Sequence, residues 1–201
     1  FSRLERIQQL GFVSRVWPGA RHTRFEHSLG VMHLTRLAVD HLRSAAGADF
    51  LTDEDARVAV AAALLHDIGH YPFSHAIEEL GAPIVPHERA GRAIIEGPEI
   101  APILAEVWGV DPARVAGMID PDGHDIPPAD RLLRGVLSGA LDMDKLDYLP
   151  RDARACNVPY GGVDTARLID AITVTNAGGS EPWPSPTVAI DEKGVSPLHS
   201  L

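Results

Sequence analysis

The run ARVAVAAALLHD constrains this chain most, because it is almost wholly apolar and ends abruptly on His66 and Asp67. Thr52 and Asp55 lie just before it with the spacing of a capping box, and Gly69 follows it, so the sequence predicts one α-helix here. A helix that is apolar around most of its circumference lies in a protein core. The sequence therefore predicts an imidazole and a carboxylate at the end of a buried helix.

Most of the remaining chain also carries helical patterns. Residues 27–46 have apolar side chains close to helical spacing and end before Gly47. Shorter helical patterns, separated by Gly and Pro clusters, follow at residues 87–96, 101–108, 112–119, 130–139 and 142–155. Beyond residue 177, the strand pattern TVAI and the turn pattern DEKGV predict a small β-hairpin. The predicted fold class is mostly α, a helical core with this hairpin near the C-terminal end.

Composition and charge exclude several classes of protein. The 201 residues contain no apolar run long enough to cross a membrane and no pattern of a signal peptide, so we expect a soluble, cytoplasmic protein. Its 18 basic and 28 acidic residues give a net charge of -10, which argues against nucleic acid as the main partner. The single cysteine, Cys156, excludes an internal disulfide and fits a reducing compartment.

The residues around the end of the buried helix have the chemistry of metal ligands. His66 and Asp67 can bind one ion beyond the helix end, because they supply an imidazole nitrogen and a carboxylate oxygen. His27 lies at the start of the preceding helical segment, and Asp144 lies in LDMDKLDY, where Asp142 is a competing candidate. Two His and two Asp from three helices are a common way to build an open metal site in a helical core.

Four segments, RHTRFEHSLGV, LLHDIGHYPFSHAIEE, PHERAG and LDMDKLDYLPRD, occur in this order between Phe1 and about Asp164. Together they resemble the HD-domain phosphohydrolases. Within that family they are similar to the deoxynucleoside triphosphate triphosphohydrolases, which include the vertebrate SAM-and-HD-domain enzyme and bacterial dGTPases. The resemblance implies a divalent cofactor, one of manganese, iron, magnesium, nickel, cobalt or zinc. It implies that the metal ligands are His27, His66, Asp67 and Asp144.

The histidines after the buried helix suggest an acid catalyst. Hydrolysis of a phosphoester leaves an alkoxide that needs a proton, and His75 is our candidate for the general acid. We expect a helix to begin near Ser74, which places Glu78 on the same face as His75, where it can orient the imidazole. The resemblance matches this pair to the family's catalytic His and acid. It implies further active-site positions at His70, His87 and Glu88.

The resemblance also implies contacts with the phosphates and the sugar. Arg24 and Lys145 would bind the phosphate tail, and an arginine suits this role because its planar fork can bind two oxygens. Tyr148 would pack on the sugar, and Asp152 would accept a hydrogen bond from its 3′-hydroxyl. Asp144, Tyr148 and Asp152 recur every four residues, so the helical spacing predicts that they share one face.

The segment IQQLGF resembles the family segment that contacts the 2′ position of the sugar. Gln9 and Leu10 would crowd that position and favour deoxyribose over ribose. Ser2 and Glu5 stand where vertebrate-type members have the Gln and Arg that bind a regulatory guanine nucleotide. That regulation is therefore not carried over to this chain.

The resulting hypothesis is metal-dependent hydrolysis of deoxynucleoside triphosphates to deoxynucleoside and inorganic triphosphate, by a homo-oligomer. One alternative is an HD-domain phosphohydrolase that acts on nucleoside monophosphates, cyclic nucleotides or another phosphoester. An alternative of another class is a catalytically silent nucleotide-sensing module, against which the intact set of ligands and acid catalysts argues. We interpret the chain as a fragment, with an HD phosphohydrolase domain at 1–176. Residues 177–201 would then be a loop and partial β-hairpin that begin a truncated C-terminal region.

Overall fold

The computed structural model describes residues 1–73, 75–121, 126–176 and 186–198. Its architecture is mostly α with a small antiparallel hairpin, which confirms the predicted fold class. The α-helices of these ranges are α1 Arg24–Ala45, α2 Asp53–Leu65, α3 His75–Glu78, α4 His87–Ile95, α5 Ala101–Ile103, α6 Pro112–Ile119, α7 Pro128–Leu137, α8 Met143–Cys156, α9 Thr165–Ile169 and α10 Val195–Leu198. Shorter 3₁₀ or π-helical turns span Ser2–Arg6, Gly11–Arg15, Leu104–Trp108 and Glu192–Gly194.

Each segment predicted as helical contains an observed helix, while the short α9 and α10 were not predicted. Ser74, near which the sequence predicts a helix start, lies outside the described residues, and α3 begins at the next residue. None of the described helices combines the length and the apolar character that crossing a membrane requires.

Helices α1 and α2 form the centre of the core. Both begin with a complete capping box, Thr23 with Glu26 in α1 and Thr52 with Asp55 in α2, so the start of each helix is fixed by its own side chains. Helix α2 packs along α1 and carries mainly alanine on its buried side, which lets the two backbones approach closely. The end of α2, where His66 follows, is thereby fixed against α1.

Two glycines bring other helices to the end of α2. At Gly69, an added Cβ would lie 2.0 Å from the carbonyl oxygen of His87, so the start of α4 lies directly on the turn after α2. At Gly30 in α1, an added Cβ would lie 1.8 Å from Oδ1 of Asp147, so α8 lies directly on α1. Since neither position has space for a side chain, glycine is required there to bring the helices together.

The hairpin pairs different segments from those that the sequence predicted. TVAI does lie in a strand, β2 (Pro186–Ile190), but its antiparallel partner is β1 (Ile172–Asn176), which precedes it. The turn pattern DEKGV does not lead into a second strand; it forms a 3₁₀ turn that continues into α10. The predicted small hairpin is thus present, but its first strand is ITVTN, a β-branched pattern that begins shortly after α9 and was counted with the helical domain. The intervening residues 177–185 lie outside the described residues.

Candidate metal centre and its cleft

The four side chains predicted as metal ligands meet at the end of α2. The Nε2 atoms of His27 and His66 lie 3.2 Å apart. Oδ1 of Asp144, from the first turn of α8, lies 2.9 Å from Nε2 of His27 and 3.7 Å from Nε2 of His66. Asp67 places its carboxylate oxygens 3.8 Å and 3.5 Å from the same two nitrogens. His27, His66 and Asp144, from three separate parts of the chain, thus bring three ligand atoms within 4.8 Å of one another, and Asp67 borders this group.

Hydrogen bonds behind the imidazoles direct their other nitrogens into this point. Nδ1 of His66 lies 2.8 Å from the carbonyl oxygen of Ala63, which can only accept, so this nitrogen carries the proton. Nδ1 of His27 likewise donates to Oδ2 of Asp147 at 2.8 Å. The lone pairs of both Nε2 atoms therefore converge with the carboxylate of Asp144. Such a set of acceptor atoms needs a cation or a proton between them.

The charges around His27 support the same conclusion. Burial on its own lowers the pKa of His27, but hydrogen bonds with Asp144 and Asp147 and the charge of Asp67 outweigh it and raise the pKa to about 9. The carboxylates thus attract positive charge strongly to this point. A divalent ion with bonds of about 2.0–2.2 Å to nitrogen and oxygen also needs ligand atoms roughly 3 Å apart, which is close to the distances found here. The donor set fits a divalent metal ion.

Asp67 is buried, and its carboxylate is held by Arg24 and His70. Burial raises the pKa of Asp67, but His66, His70 and Arg24 together keep it well below its usual range, so the side chain is a carboxylate. Nη1 of Arg24 lies 2.5 Å from Oδ2 of Asp67, and both side chains are almost completely buried. Arg24, which the resemblance assigned to the phosphates, is thus bonded to a candidate metal ligand on the wall of the cleft.

The structure separates the two candidate carboxylates of α8. Asp142 is the N-cap of the helix and accepts hydrogen bonds from the backbone N–H groups of Gly139 and Lys145. Its Oδ2 also lies 2.6 Å from Nζ of Lys145, which donates further to the carbonyl oxygen of Gly139. Asp142 therefore stabilises the helix start, and Asp144 faces the imidazoles. Lys145 is directed to this cap and not to the cleft.

A cluster of three histidines lies beside the candidate metal ligands. The rings of His70 and His87 stack with centroids 3.7 Å apart, and the ring of His75 lies 5.0 Å and 5.3 Å from them. Glu78 joins two of them, because Oε1 lies 2.9 Å from Nδ1 of His87 and Oε2 lies 3.3 Å from Nδ1 of His75. Glu88 lies 3.4 Å from Nε2 of His87. The structure thus brings all five predicted residues of this group together.

The members of this cluster differ in burial and therefore in what they can do. Burial lowers the pKa of His70 to about 4, although Asp67 opposes this, so His70 is neutral near pH 7 and donates its Nε2 proton to Asp67. The side chain of His75, by contrast, is 65% exposed and open to solvent. His70 is thus placed to hold the carboxylate of Asp67, a candidate metal ligand, and His75 is in contact with solvent.

The candidate metal ligands and the histidine cluster line one cleft of about 340 Å³. Among the described residues, those that line it are Gln9, Arg24, His27, His66, Asp67, His70, His75, His87, Glu88, Met118, Ile119, Arg134, Leu137, Ser138, Asp144 and Tyr148. Three predicted substrate residues are absent from this lining, Leu10, Lys145 and Asp152. Asp152 lies two turns beyond Asp144 on α8, but its Oδ1 is 2.6 Å from Nε2 of His22. Of the three residues predicted to share a face of α8, Asp144 and Tyr148 therefore line the cleft and Asp152 does not.

Sequence reasoning missed two kinds of residue here. Asp147 was not considered, although it is the third carboxylate of DMDKLD and its side chain holds His27 from behind. The cleft wall from α6 and α7 was also missed. On α7, Arg134, Leu137 and Ser138 follow the spacing of one helical face, so the pattern could have grouped them but could not show which cavity they line.

We expect Asp147→Asn to bind the metal roughly 10- to 100-fold more weakly than the parent protein, the usual effect of losing a carboxylate behind a ligating imidazole. Asp147 accepts a hydrogen bond from His27 and pairs with Arg151, so the neutral amide loses the charge that fixes the ring. Metal affinity, measured by competition with a chelator, checks this. Asp53→Asn is the matched control, since Asp53 is exposed and remote from the cleft. Equal affinities in parent and Asp147→Asn would contradict the assigned role.

The candidate metal centre lies in a helical core, and comparison with known families identifies the class of protein. The HD domain model matches residues 24–148, so the chain belongs to the HD domain family. It is similar to a phosphohydrolase of Bacteroides thetaiotaomicron, whose solved structure has a TM-score of 0.78 and 36% identity and is matched over 98% of this chain and 44% of its own.

Two curated relatives show the range of the similarity. The uncharacterized protein YwfO of Bacillus subtilis is 38% identical over 170 residues, which are 84% of this chain and 37% of that protein. The deoxynucleoside triphosphate triphosphohydrolase SAMHD1 of Gallus gallus is 31% identical over 208 residues, which are 90% of this chain and 34% of that protein. The chain thus spans less than half the length of these relatives.

Proposed function

We propose that this chain is the catalytic domain of a metal-dependent phosphohydrolase that converts a deoxynucleoside triphosphate and water to a deoxynucleoside and inorganic triphosphate. The observation that carries the proposal is the convergence of His27, His66, Asp67 and Asp144 in one cleft with a second cluster of histidines. The names of two relatives support it, a phosphohydrolase and a deoxynucleoside triphosphate triphosphohydrolase.

The four candidate ligands and the groups that orient them would have different roles in metal binding. The two imidazoles and two carboxylates would hold a divalent ion, which when bound lowers the pKa of water and polarises a phosphoryl oxygen. Asp147 and the carbonyl oxygen of Ala63 hold the two imidazoles in the orientation that binding needs. Arg24 and His70 hold the carboxylate of Asp67. The ligands are therefore oriented before any ion binds.

The leaving group requires a proton from the protein. Cleavage next to the sugar leaves negative charge on the 5′-oxygen, and His75 would donate the proton to it as general acid. Glu78 supports this, because one of its oxygens lies 3.3 Å from Nδ1 of His75 and so leaves Nε2 directed away from the helix. The other oxygen holds His87, and His87 is the second candidate for the acid.

Gln9 supports a sugar contact. Its Oε1 is buried and accepts no hydrogen bond within the described part of the chain, and the residue lines the cleft. A buried amide oxygen without a donor is costly, and a donor from a bound ligand would satisfy it. Tyr148 lines the same cleft and supplies an aromatic face near the metal ligands. These two residues would discriminate between deoxyribose and ribose.

We expect the parent protein to hydrolyse deoxynucleoside triphosphates faster than ribonucleoside triphosphates, and the margin to shrink in Gln9→Ala, because the truncation opens space at the 2′ position. Rates for matched pairs of nucleotides check this. Gln8→Ala is the control, since Gln8 bonds with Ser14 and does not line the cleft. Equal rates for the two sugars in the parent would contradict the proposed sugar contact.

One observation favours a second candidate, a hydrolase of a smaller phosphoester. Lys145 is held by Asp142 and Arg24 by Asp67, so both of the cationic residues predicted to bind phosphate have partners within the protein.

Activity assays of the metal-loaded protein with a panel of dNTPs, NTPs, dNMPs and cyclic nucleotides separate the candidates. Turnover confined to dNMPs or cyclic nucleotides would support the second, and nucleotide binding without any turnover would support a silent sensing module.

The proposal also includes features that concern the protein as a whole. We expect a homo-oligomer in the cytoplasm, with a nucleotide as its ligand and manganese among the ions that support activity. We retain residues 1–176 as the catalytic domain, and the site lies wholly within them.

A further inference from the structure

Arg134 is a cation of the cleft that the proposed mechanism does not yet use. It lies on α7, directly after the buried pair Leu132 and Leu133. Its own side chain is only half-buried. Leu137 and Ser138, three and four residues further on, line the same cleft. Residues at these spacings share one face of a helix. This face of α7 therefore forms part of the wall of the cleft that contains the candidate metal ligands.

The guanidinium of Arg134 has no ion pair or hydrogen bond with any described residue. Asp130, one turn earlier on α7, is the natural partner by spacing, but both of its oxygens bond to Arg114. A half-buried guanidinium without an anion has lost part of its hydration without compensation. It has no anionic partner although the protein as a whole has a net charge of -10. Its surroundings thus favour an anion brought by a ligand.

The other cations near the metal ligands differ from Arg134 in this respect. Arg24 is bonded to Asp67, and Lys145 to Asp142 and a backbone carbonyl. A phosphate tail that extends beyond the metal ligands therefore meets one arginine whose donors are all available. Arginine suits such a contact because its planar fork can bind two phosphate oxygens at once.

We infer that Arg134 binds a phosphate group of the substrate distal to the one at the metal ligands, and so selects polyphosphate esters over monophosphates. This inference rests on the proposed function and deepens it, because it identifies a determinant of the triphosphate tail. It makes Arg134 a specificity residue of the cleft wall formed by α7. Arg134 would also give a triphosphate a cationic contact in a site where Arg24 and Lys145 already have partners.

Calorimetric titration of the metal-loaded protein with inorganic triphosphate and with orthophosphate tests the inference. The parent should bind triphosphate more tightly than orthophosphate. Arg134→Ala and the longer neutral variant Arg134→Gln should each weaken triphosphate binding by roughly 10- to 100-fold, the effect of losing a charge-assisted contact, and leave orthophosphate binding unchanged. Arg134→Lys should fall between, since it keeps the charge and loses the fork. Metal content and thermal unfolding of each variant establish that the site and fold persist.

Arg131→Ala is the matched control, because Arg131 is exposed one turn earlier on α7 and does not line the cleft. It should bind both anions as the parent does. The inference is overturned if Arg134→Ala and Arg134→Gln bind triphosphate like the parent, if they weaken both anions equally, or if the parent does not prefer triphosphate.

Failure of the proposed function has a different signature. If another phosphoester is hydrolysed while triphosphate still binds through Arg134, the proposed substrate is wrong and the assignment of Arg134 stands. If dNTPs are cleaved to triphosphate and the Arg134 variants bind triphosphate normally, the assignment of Arg134 alone fails.

Discussion

Asp144→Ala and Asp67→Ala should each purify without bound metal and without hydrolytic activity, while their helical content stays close to that of the parent. Each removes an anionic ligand, and two imidazoles with one carboxylate hold a divalent ion far more weakly than the complete set. Asp144 gives the cleaner test, because its side chain is 36% exposed. In Asp67→Ala the buried Arg24 also loses its carboxylate, so Asp67→Asn should accompany it.

Metal analysis, activity assays and circular dichroism of the purified variants check this expectation. Asp40→Ala is the matched control, since Asp40 is an exposed residue of α1 that pairs with Arg36. It should retain metal and activity. Full metal occupancy together with full activity in Asp144→Ala would refute the assignment of the centre.

His75→Ala should keep its metal and lose roughly 10²- to 10⁴-fold in the rate of hydrolysis, as expected when a general acid is removed. His75 is not among the four candidate ligands, and its largely exposed side chain contributes little to packing. The fold and the metal centre should therefore persist. Glu78→Gln should have a milder effect on rate, because an amide still contacts both His75 and His87 but no longer carries charge.

Single-turnover rates at saturating metal separate this loss from weaker binding. His33→Ala, an exposed histidine of α1, is the matched control and should hydrolyse the substrate at the parent rate. If His75→Ala also kept the parent rate, the proton would have to come from elsewhere, and His87→Ala would be the next variant to measure.

The sequence predicted the helices well for identifiable physical reasons. Apolar spacing and capping boxes are local, so α1 and α2 could be assigned from their own residues. The position of His66 and Asp67 at a buried helix end followed from the same pattern. That His27 and Asp144 meet them depends on contacts between helices, and here the resemblance to a family supplied what spacing alone could not.

Other features depend on tertiary contacts that no local pattern encodes. Asp152 has the spacing of a cleft residue, yet His22 holds it elsewhere. The role of Asp147 becomes visible only when α8 lies on α1, which Gly30 permits. Strand β1 begins shortly after α9 in a segment counted with the helical domain, so its pairing with β2 could not be predicted from its position.

The most direct test of the proposed function is to hydrolyse a deoxynucleoside triphosphate with metal-loaded protein in ¹⁸O-labelled water and to analyse the products by ion exchange and mass spectrometry. Attack of water on the phosphorus next to the sugar predicts inorganic triphosphate that carries the label and an unlabelled deoxynucleoside, with no diphosphate intermediate. Stepwise appearance of deoxynucleoside diphosphate and labelled orthophosphate would contradict it.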